Sequence, residues 1–237
     1  MKILILGGTG AMGEELVPLL AENPDNILVI TSRRKREAFE RVRFIQGNAM
    51  NLEFIASILK NDFYDVIVDF MLYSVKEFSE RCELLLKSCK QYIFFSSARV
   101  YAATDRLVAE DSPRLLDVST DKDFFADGEY SLTKAQEENI LTKSHLKNWV
   151  IIRPYKTYNR NRLQLGVMEK EDWINRAIAG KTVVTLGDIG KLHTSLTSAK
   201  DTAKILQRII GNTALNGETI QIANPENITW ADVIDIY

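Results

Sequence analysis

The stretch Ile3-Leu4-Ile5-Leu6-Gly7-Gly8-Thr9-Gly10-Ala11-Met12-Gly13 decides the fold. Its four consecutive apolar residues predict a strand that is covered on both faces. Glycines at positions 7, 10 and 13 follow, and a helical pattern runs over 11–22. In this context the first glycine permits a tight turn, the second lets the backbone approach a pyrophosphate, and the third lets helix and strand pack closely. Because a helix N-terminus offers N–H groups to phosphates, we expect a dinucleotide site made by Gly7, Thr9, Gly10, Ala11, Met12 and Gly13.

Short β-rich runs alternate with helical patterns through most of the chain. Strands are predicted at 3–6, 27–31, 42–45, 66–70, 92–96 and 149–152, and helices at 11–22, 52–60, 75–89 and 130–144, with residues 102–127 as a loop. This alternation predicts an α/β fold, a Rossmann-type doubly wound parallel sheet. Ligands of such sheets bind beyond the carboxyl ends of the strands.

The pattern changes after Arg153-Pro154. At about 150 residues per domain, the length indicates one large domain, or one domain with a smaller C-terminal lobe that begins near residue 156. In this lobe the sequence predicts helices at 168–179 and 199–210, strands at 182–185 and 218–222, and a short final helix after Thr229.

Composition excludes several classes of protein. The 237 residues include 30 Lys and Arg against 32 Asp and Glu, so the net charge of -2 offers no global field for nucleic acid or membranes. No apolar run approaches the roughly 18 residues of a membrane span. Cys82 and Cys89, in one predicted helix, would lie about 10 Å apart, too far for a disulfide, and neither has metal-ligand spacing. We therefore expect buried reduced thiols, a cytoplasmic location and no metal.

The residues that end the second strand discriminate between cofactors. A carboxylate there would accept a hydrogen bond from the ribose 2′-hydroxyl of NAD, but the sequence has Ser32-Arg33-Arg34. A serine and two guanidinium groups suit a 2′-phosphate, so NADP is favoured over NAD, with a solvated basic loop as the alternative. Asn48 could accept from the adenine amino group or stabilise a turn. Asp69, at the end of the fourth strand, is a further candidate cofactor contact or a turn residue.

Three residues predict a catalytic site. Tyr130 and Lys134 are four residues apart on a predicted helix and so share one face. A nearby ammonium is expected to lower the pKa of the tyrosine, which makes the phenol usable as an acid or base near neutral pH. Ser97 follows the fifth strand, where its hydroxyl can donate to a substrate oxygen. We expect substrate contacts from Ser97, Tyr130, Tyr155 and His193.

Together these motifs resemble the extended short-chain dehydrogenase/reductases, specifically the NAD-dependent epimerase/dehydratase family. The resemblance covers essentially the whole chain and rests on Gly7, Gly10, Gly13, Ser97, Tyr130, Lys134, Arg153, Pro154 and Asp201. Asp69 with Tyr73, and Trp173 with Arg176, resemble an atypical branch with isoflavone-reductase-like and chloroplast RNA-associated members. The resemblance implies hydride transfer at a sugar or alcohol carbon, with Tyr130 as acid/base, Lys134 also holding the nicotinamide ribose, and Ser97 orienting the substrate. Arg153 and Pro154 are expected to contact the cofactor.

The resemblance also implies a division of the chain. It implies that residues 1–155 form an NAD(P)-binding Rossmann domain and residues 156–237 a small C-terminal α/β substrate-binding lobe, with 182–210 partly packing back on the first domain.

The sequence departs from the family pattern at several places. Asn48 replaces an aspartate, Asn159-Arg160 replaces a Gly-Pro pair, and Thr194 lies near the usual place of an arginine that binds a nucleotide-sugar diphosphate. Dehydratases of the family carry Thr-Asp-Glu at the catalytic hydroxyl, where this chain has Ser97-Ala98-Arg99. The acid pair for water elimination is therefore missing, which favours an epimerase or reductase over a 4,6-dehydratase.

We therefore expect an NAD(P)-dependent epimerase or reductase that acts on a nucleotide-sugar-like substrate. The alternative is a catalytically silent NAD(P)-sensing or RNA-associated member of the same fold. The net charge of -2 and the presence of Ser97, Tyr130 and Lys134 argue against that alternative. A homodimer through helices 75–89 and 130–144 is also expected. Since family members run longer and the last helix has hardly two turns before Tyr237, we expect a truncated chain with a shortened substrate lobe.

Overall fold

The computed structural model describes residues 1–104, 106–121 and 128–237. The strands of the central sheet are β1 (Lys2–Leu6), β2 (Ile27–Ser32), β3 (Val42–Gln46), β4 (Tyr64–Asp69), β5 (Cys89–Phe95), β6 (Trp149–Pro154) and β10 (Thr219–Ile222). They lie in the order β10-β6-β5-β4-β1-β2-β3, and every neighbouring pair is parallel. The chain reverses its direction of strand addition between β1 and β4, and this is the switch point at which such sheets bind ligands.

Helices and short strands complete the described fold. The helices are α1 (Ala11–Ala21), α2 (Leu52–Leu59), α3 (Val75–Lys87), α4 (Leu115–Val118), α5 (Tyr130–Lys143), α6 (Lys170–Ile178), α7 (Ala199–Ile209) and α8 (Trp230–Ile236). The short strands are β7 (Thr157–Tyr158), β8 (His193–Thr194), β9 (Thr197–Ser198) and β11 (Ile228–Thr229). None of the helices among the described residues combines the length and apolar character that crossing a membrane requires.

Side chains of the central strands alternate between two apolar cores. Ile5 of β1 packs in the core that includes Leu16 of α1 and Leu206 of α7. Leu4 points to the opposite face, into the core that includes Phe78 of α3. Because consecutive residues of a strand face opposite sides, the unbroken apolar run of β1 fills both cores. The doubly wound Rossmann-type fold that the sequence predicts is confirmed.

The C-terminal part of the chain contributes to two places. Strand β10 pairs with β6 at the edge of the sheet, and α7 packs on α1. A separate small core consists of Leu165, Trp173, Ile189, Trp230 and Val233. Residues 218–222 therefore extend the sheet itself, and α7 covers one of its faces. The division of the chain at residue 155 into two domains stays a prediction.

Two local predictions are wrong. Residues 181–186 form no strand: Val183 packs against the small core, but Val184 is exposed and no neighbouring strand pairs with this segment. β-branched residues form a strand only where a partner strand and a packed face are present. Cys89 begins β5 and does not end a helix, because α3 stops at Lys87. Both cysteines are nevertheless free and buried, as expected. Residues 105 and 122–127 of the predicted loop 102–127 lie outside the described residues.

One buried carboxylate joins α5 to the ends of two strands. Glu138 is 1% exposed and accepts hydrogen bonds from Nε and Nη2 of Arg153, each at 2.8 Å. It also accepts from the hydroxyl of Ser96 at 2.6 Å and from Nη1 of Arg114 at 3.0 Å. A buried charge is tolerated only when it is paired and hydrogen-bonded, so these partners fix α5 against the carboxyl edge of β5 and β6.

Replacement of Glu138 by alanine is expected to destabilise the protein by about 3–5 kcal/mol, because it leaves the buried guanidinium of Arg153 without its partner. Urea unfolding followed by tryptophan fluorescence measures this change. The matched control is Glu83→Ala, which breaks an exposed pair with Lys87 on α3 and is expected to leave the midpoint almost unchanged. Equal midpoints for the two variants would contradict the assigned role of Glu138.

Candidate active site

The glycine loop between β1 and α1 fits a dinucleotide pyrophosphate. Gly7 has a φ of +74°, in the left-handed region that favours glycine. A Cβ at Gly13 would lie 2.3 Å from the carbonyl oxygen of Gly8, so only glycine allows α1 to approach the loop this closely. A Cβ at Gly10, the N-cap of α1, would meet only the Gly7 oxygen at 3.6 Å, which leaves open space beside the first N–H groups of the helix.

The basic segment follows β2 at the same edge of the sheet. The hydroxyl of Ser32 donates to the carbonyl of Arg34 at 2.8 Å, which shapes the turn after the strand. Arg33 and Arg34 are exposed. The N–H of Gly7 donates to the hydroxyl of Thr31 at 3.3 Å, so the ends of β1 and β2 are adjacent. Recognition of a 2′-phosphate by these arginines stays a prediction.

Asn48 and Asp69 are both held by local contacts. The side-chain oxygen of Asn48 accepts from the N–H of Met50 at 3.1 Å, the geometry of a turn asparagine. Asp69 is 1% exposed and accepts from the hydroxyls of Tyr92, at 2.8 Å, and Tyr73, at 3.1 Å. Burial raises the pKa of Asp69, and these hydrogen bonds oppose that rise. For both residues the contact with a cofactor stays a prediction.

A cleft of about 610 Å³ opens beyond β5 and β6. It brings together five of the residues singled out from the sequence: Met12 of the glycine loop, Ser97, Tyr130, Pro154 and Tyr155. Ser97 begins the turn after β5, where its hydroxyl accepts from the N–H of Arg99 at 3.1 Å. Tyr130 begins α5 and is 36% exposed. The glycine loop, the serine and the tyrosine therefore line the same cleft.

The lowering of the Tyr130 pKa that is expected from Lys134 stays a prediction. Burial raises the pKa of Tyr130 above its ordinary value, and the negative charge of Glu137 adds to the rise. A hydrogen bond with Ser97 and the charges of Arg99 and Arg162 oppose it. The ammonium of Lys134 lies 2.8 Å from a carboxylate oxygen of Glu137 and forms an ion pair with that residue.

Two predicted contacts lie apart from the cleft. The guanidinium of Arg153 donates to the carboxylate of Glu138 and, at 3.0 Å, to the carbonyl of Glu110. These hydrogen bonds connect β6 to α5 and to the loop that contains Glu110. His193 lies exposed in β8, paired with Thr229 of β11, and does not line the cleft. The cofactor contact of Arg153 and the substrate contact of His193 are not tested by these positions and stay predictions.

Three cations that the sequence reasoning missed line the same cleft: Arg99, Lys156 and Arg162. Lys156 donates to the carbonyl of Gly166 at 2.9 Å, and its ammonium lies 5.4 Å from the ring centre of Trp230. Among the described residues no carboxylate pairs with it. Burial lowers the pKa of Lys156, and the charge of Arg99 lowers it further. Lys156 could have been found from the sequence, because it closely follows the end of β6, and ligands of such sheets bind beyond the carboxyl ends of the strands.

The loop after β6 is anchored on the glycine loop. Asn159, at the place of the family's glycine, donates its amide to the carbonyl of Ala11 at 3.1 Å. Asn161 donates to the carboxylate of Glu14 at 2.6 Å. The departure from the Gly-Pro pattern thus places two amides on the first turn of α1.

The fold and the cleft define a Rossmann-type α/β protein whose glycine loop has the geometry of a dinucleotide site. The model of one family, the NAD dependent epimerase/dehydratase family, matches residues 3–223. The chain belongs to this family, as the resemblance predicted.

The relatives agree on fold and vary in reaction. UDP-glucose 4-epimerase of Lactobacillus helveticus is 27% identical over 135 residues, which are 48% of this chain and 41% of that protein. The alignment therefore spans less than half of the curated relative. UDP-glucuronic acid 4-epimerase from Bacillus cereus, solved with NAD, has a TM-score of 0.75 at 20% identity over 100% of this chain and 82% of its own. dTDP-glucose 4,6-dehydratase from Bacillus anthracis, also with NAD, gives 0.76 at 17% identity over 99% and 79%. These structures support the fold alone.

The close approach at Gly13 gives a direct prediction. Gly13→Ala is expected to cost about 1–3 kcal/mol of stability, because the new methyl group overlaps the Gly8 carbonyl. It is also expected to weaken NAD(P)H binding about tenfold or more, because α1 must move away from the loop. Thermal unfolding and cofactor fluorescence titration measure the two effects. Gly187→Ala is the control, since a Cβ there meets nothing within 4 Å. A Gly13→Ala protein as stable as the control would contradict the assignment.

Proposed function

We propose that the protein is an NAD(P)-dependent epimerase or reductase of nucleotide sugars, acting in the cytoplasm, with Ser97, Tyr130 and Lys134 as its site. The observation that carries this proposal is the single cleft in which the glycine-loop residue Met12 meets Ser97 and Tyr130. Membership of the epimerase/dehydratase family supports it. The Bacillus cereus relative has been solved with UDP-glucuronic acid and NAD. The two buried free thiols fit a reducing compartment.

Each side chain has a distinct task in this proposal. A bound nicotinamide would supply the acceptor and donor of a hydride. Tyr130 would take the proton from the substrate hydroxyl and return it, and its partly exposed position at the start of α5 gives a substrate access to the phenol. Ser97 would donate to the same substrate oxygen. Lys134 would hold the cofactor ribose and offset the negative charge on Tyr130.

The residues after Ser97 favour an epimerase or reductase over a dehydratase. Water elimination needs an acid and a base beyond the tyrosine. Ala98 carries no ionisable group, and the guanidinium of Arg99 lies 5.5 Å from the ring centre of Tyr130. A permanently charged guanidinium cannot act as the acid, so the residues that follow Ser97 favour removal and return of hydrogen at one carbon over elimination of water.

The charge of the cleft supports an anionic substrate. Arg99 pairs with Glu129 and Arg162 with Glu169, the latter at 3.3 Å, whereas Lys156 pairs with no carboxylate among the described residues. A half-buried ammonium without a counter-ion attracts a phosphate or carboxylate group. The diphosphate of a nucleotide sugar is such a group.

A homodimer through α3 and α5 is part of the proposal.

Tyr130→Phe is expected to lower turnover of nucleotide sugars by about 10²–10⁴-fold, since general acid–base catalysis contributes that much. A panel of UDP- and dTDP-sugars, assayed with the preferred cofactor, gives the measurement. Tyr158→Phe is the control, because Tyr158 is similarly exposed but does not line the cleft. Full turnover by Tyr130→Phe would rule out its role, and no turnover by the unaltered protein on any sugar would rule out the activity.

We propose that the cofactor is NADP, on the basis of Arg33 and Arg34, although the solved relatives hold NAD. Serine at both positions is expected to weaken NADPH binding by about 10–100-fold, the value of a charge-assisted hydrogen bond to phosphate, and to leave NADH binding unchanged. Separate fluorescence titrations with the two nucleotides test this. Arg208→Ser, an exposed charge on α7, controls for net charge. Equal effects on the dissociation constants of NADH and NADPH would show that the arginines do not bind the 2′-phosphate.

A further inference from the structure

Glu137 is a buried acid in direct contact with Lys134. Its Oε2 lies 2.8 Å from the ammonium of Lys134, and the two side chains are 0% and 1% exposed. The ammonium also lies 4.6 Å from the ring centre of Phe94 in β5. The pair therefore lies between α5 and the sheet, where water cannot screen it. The proposed catalytic lysine is held, in this structure, by an acid on its own helix.

The carboxylate of Glu137 uses only half of its capacity to accept hydrogen bonds. Its Oε1 is buried and has no hydrogen-bond partner among the described residues. Burial and the unpartnered Oε1 disfavour the ionised form of this carboxyl, whereas the ion pair with Lys134 favours it. The geometry thus tolerates both charge states of Glu137.

Neighbouring acids bring these two states closer in energy. Asp69 of β4 and Glu77 of α3 oppose ionisation of Glu137, and Lys134 favours it. Asp69 accepts hydrogen bonds from Tyr73 and Tyr92. Arg81, the buried cation of α3, donates to the backbone carbonyls of Glu77, Ala49 and Met50. One ammonium therefore serves two buried acids. Burial, opposed by Lys134, raises the pKa of Glu137 to about 7.

We propose that Glu137 is a positioning residue that controls Lys134: ionised, it keeps the ammonium on α5, and protonated, it releases the ammonium to the cofactor ribose and Tyr130. This inference rests on the proposed function, since it concerns the same lysine. It makes cofactor affinity depend on a proton that the protein itself holds, at Glu137. Affinity is then higher below the pKa of Glu137 than above it.

The test compares the dissociation constant of NADH, which has no 2′-phosphate to titrate in this range, at about pH 6 and about pH 8, conditions on either side of the titration of Glu137. The unaltered protein is expected to bind about tenfold more weakly at the higher pH. Glu137→Gln, which is always neutral, is expected to bind equally at both, and Glu137→Asp to recover part of the dependence. Glu80→Gln, an exposed acid of α3, and His145→Asn, an exposed imidazole, are controls that keep the response.

A second readout requires no cofactor. Carbon-13 NMR of glutamate carboxyls in the protein alone is expected to show one group that titrates near neutral pH, and to lose it in Glu137→Gln. This measurement decides the question on the unaltered protein even when Glu137→Gln does not fold.

The outcomes separate the two proposals. A Glu137→Gln protein that keeps the tenfold response, a flat response in the unaltered protein, or no glutamate that titrates near neutral pH would overturn the role of Glu137. Failure of the unaltered protein to bind either nucleotide at any pH would overturn the proposed function instead.

Discussion

The site depends on one buried carboxylate. Glu138 is almost completely enclosed, and it binds Arg153 from β6, Ser96 from the end of β5 and Arg114 from the following loop. These contacts fix the rotation of α5, because a helix held by a bidentate ion pair cannot turn without leaving a buried charge unpaired. Tyr130 and Lys134 lie two turns and one turn before Glu138 on the same helix. Their positions relative to Ser97 follow from that anchor.

Charge is distributed unequally around the anchored helix. On the cleft side Arg99, Lys156 and Arg162 face the space where a substrate would lie. On the inner side Glu137 and Asp69 are buried near the single ammonium of Lys134. The cleft can therefore attract an anion, while the interior holds the lysine back. Two buried acids near one buried ammonium are what make a proton-dependent lysine physically reasonable.

Local sequence signals predict the sheet and the glycine loop, because the apolar run of β1 and the steric demand of Gly13 act between residues close in the chain. The network of Glu138 could not be predicted, since its partners come from residues 96, 114 and 153 and only the fold brings them together. The burial of Glu137 could not be predicted for a related reason. On α5 both charged and apolar residues face inward, so hydrophobic periodicity does not indicate which side chains are buried. The failed strand at 182–185 shows that β propensity without a partner strand decides nothing.

The most direct test of the account is the structure of the protein crystallised with its preferred nicotinamide dinucleotide. The account places the pyrophosphate against the N–H groups at the start of α1, beside Gly10, and the nicotinamide ribose within hydrogen-bonding distance of Lys134, with Tyr130 and Ser97 facing the nicotinamide. A nucleotide bound elsewhere on the molecule, or one whose ribose lies beyond reach of Lys134, would contradict it.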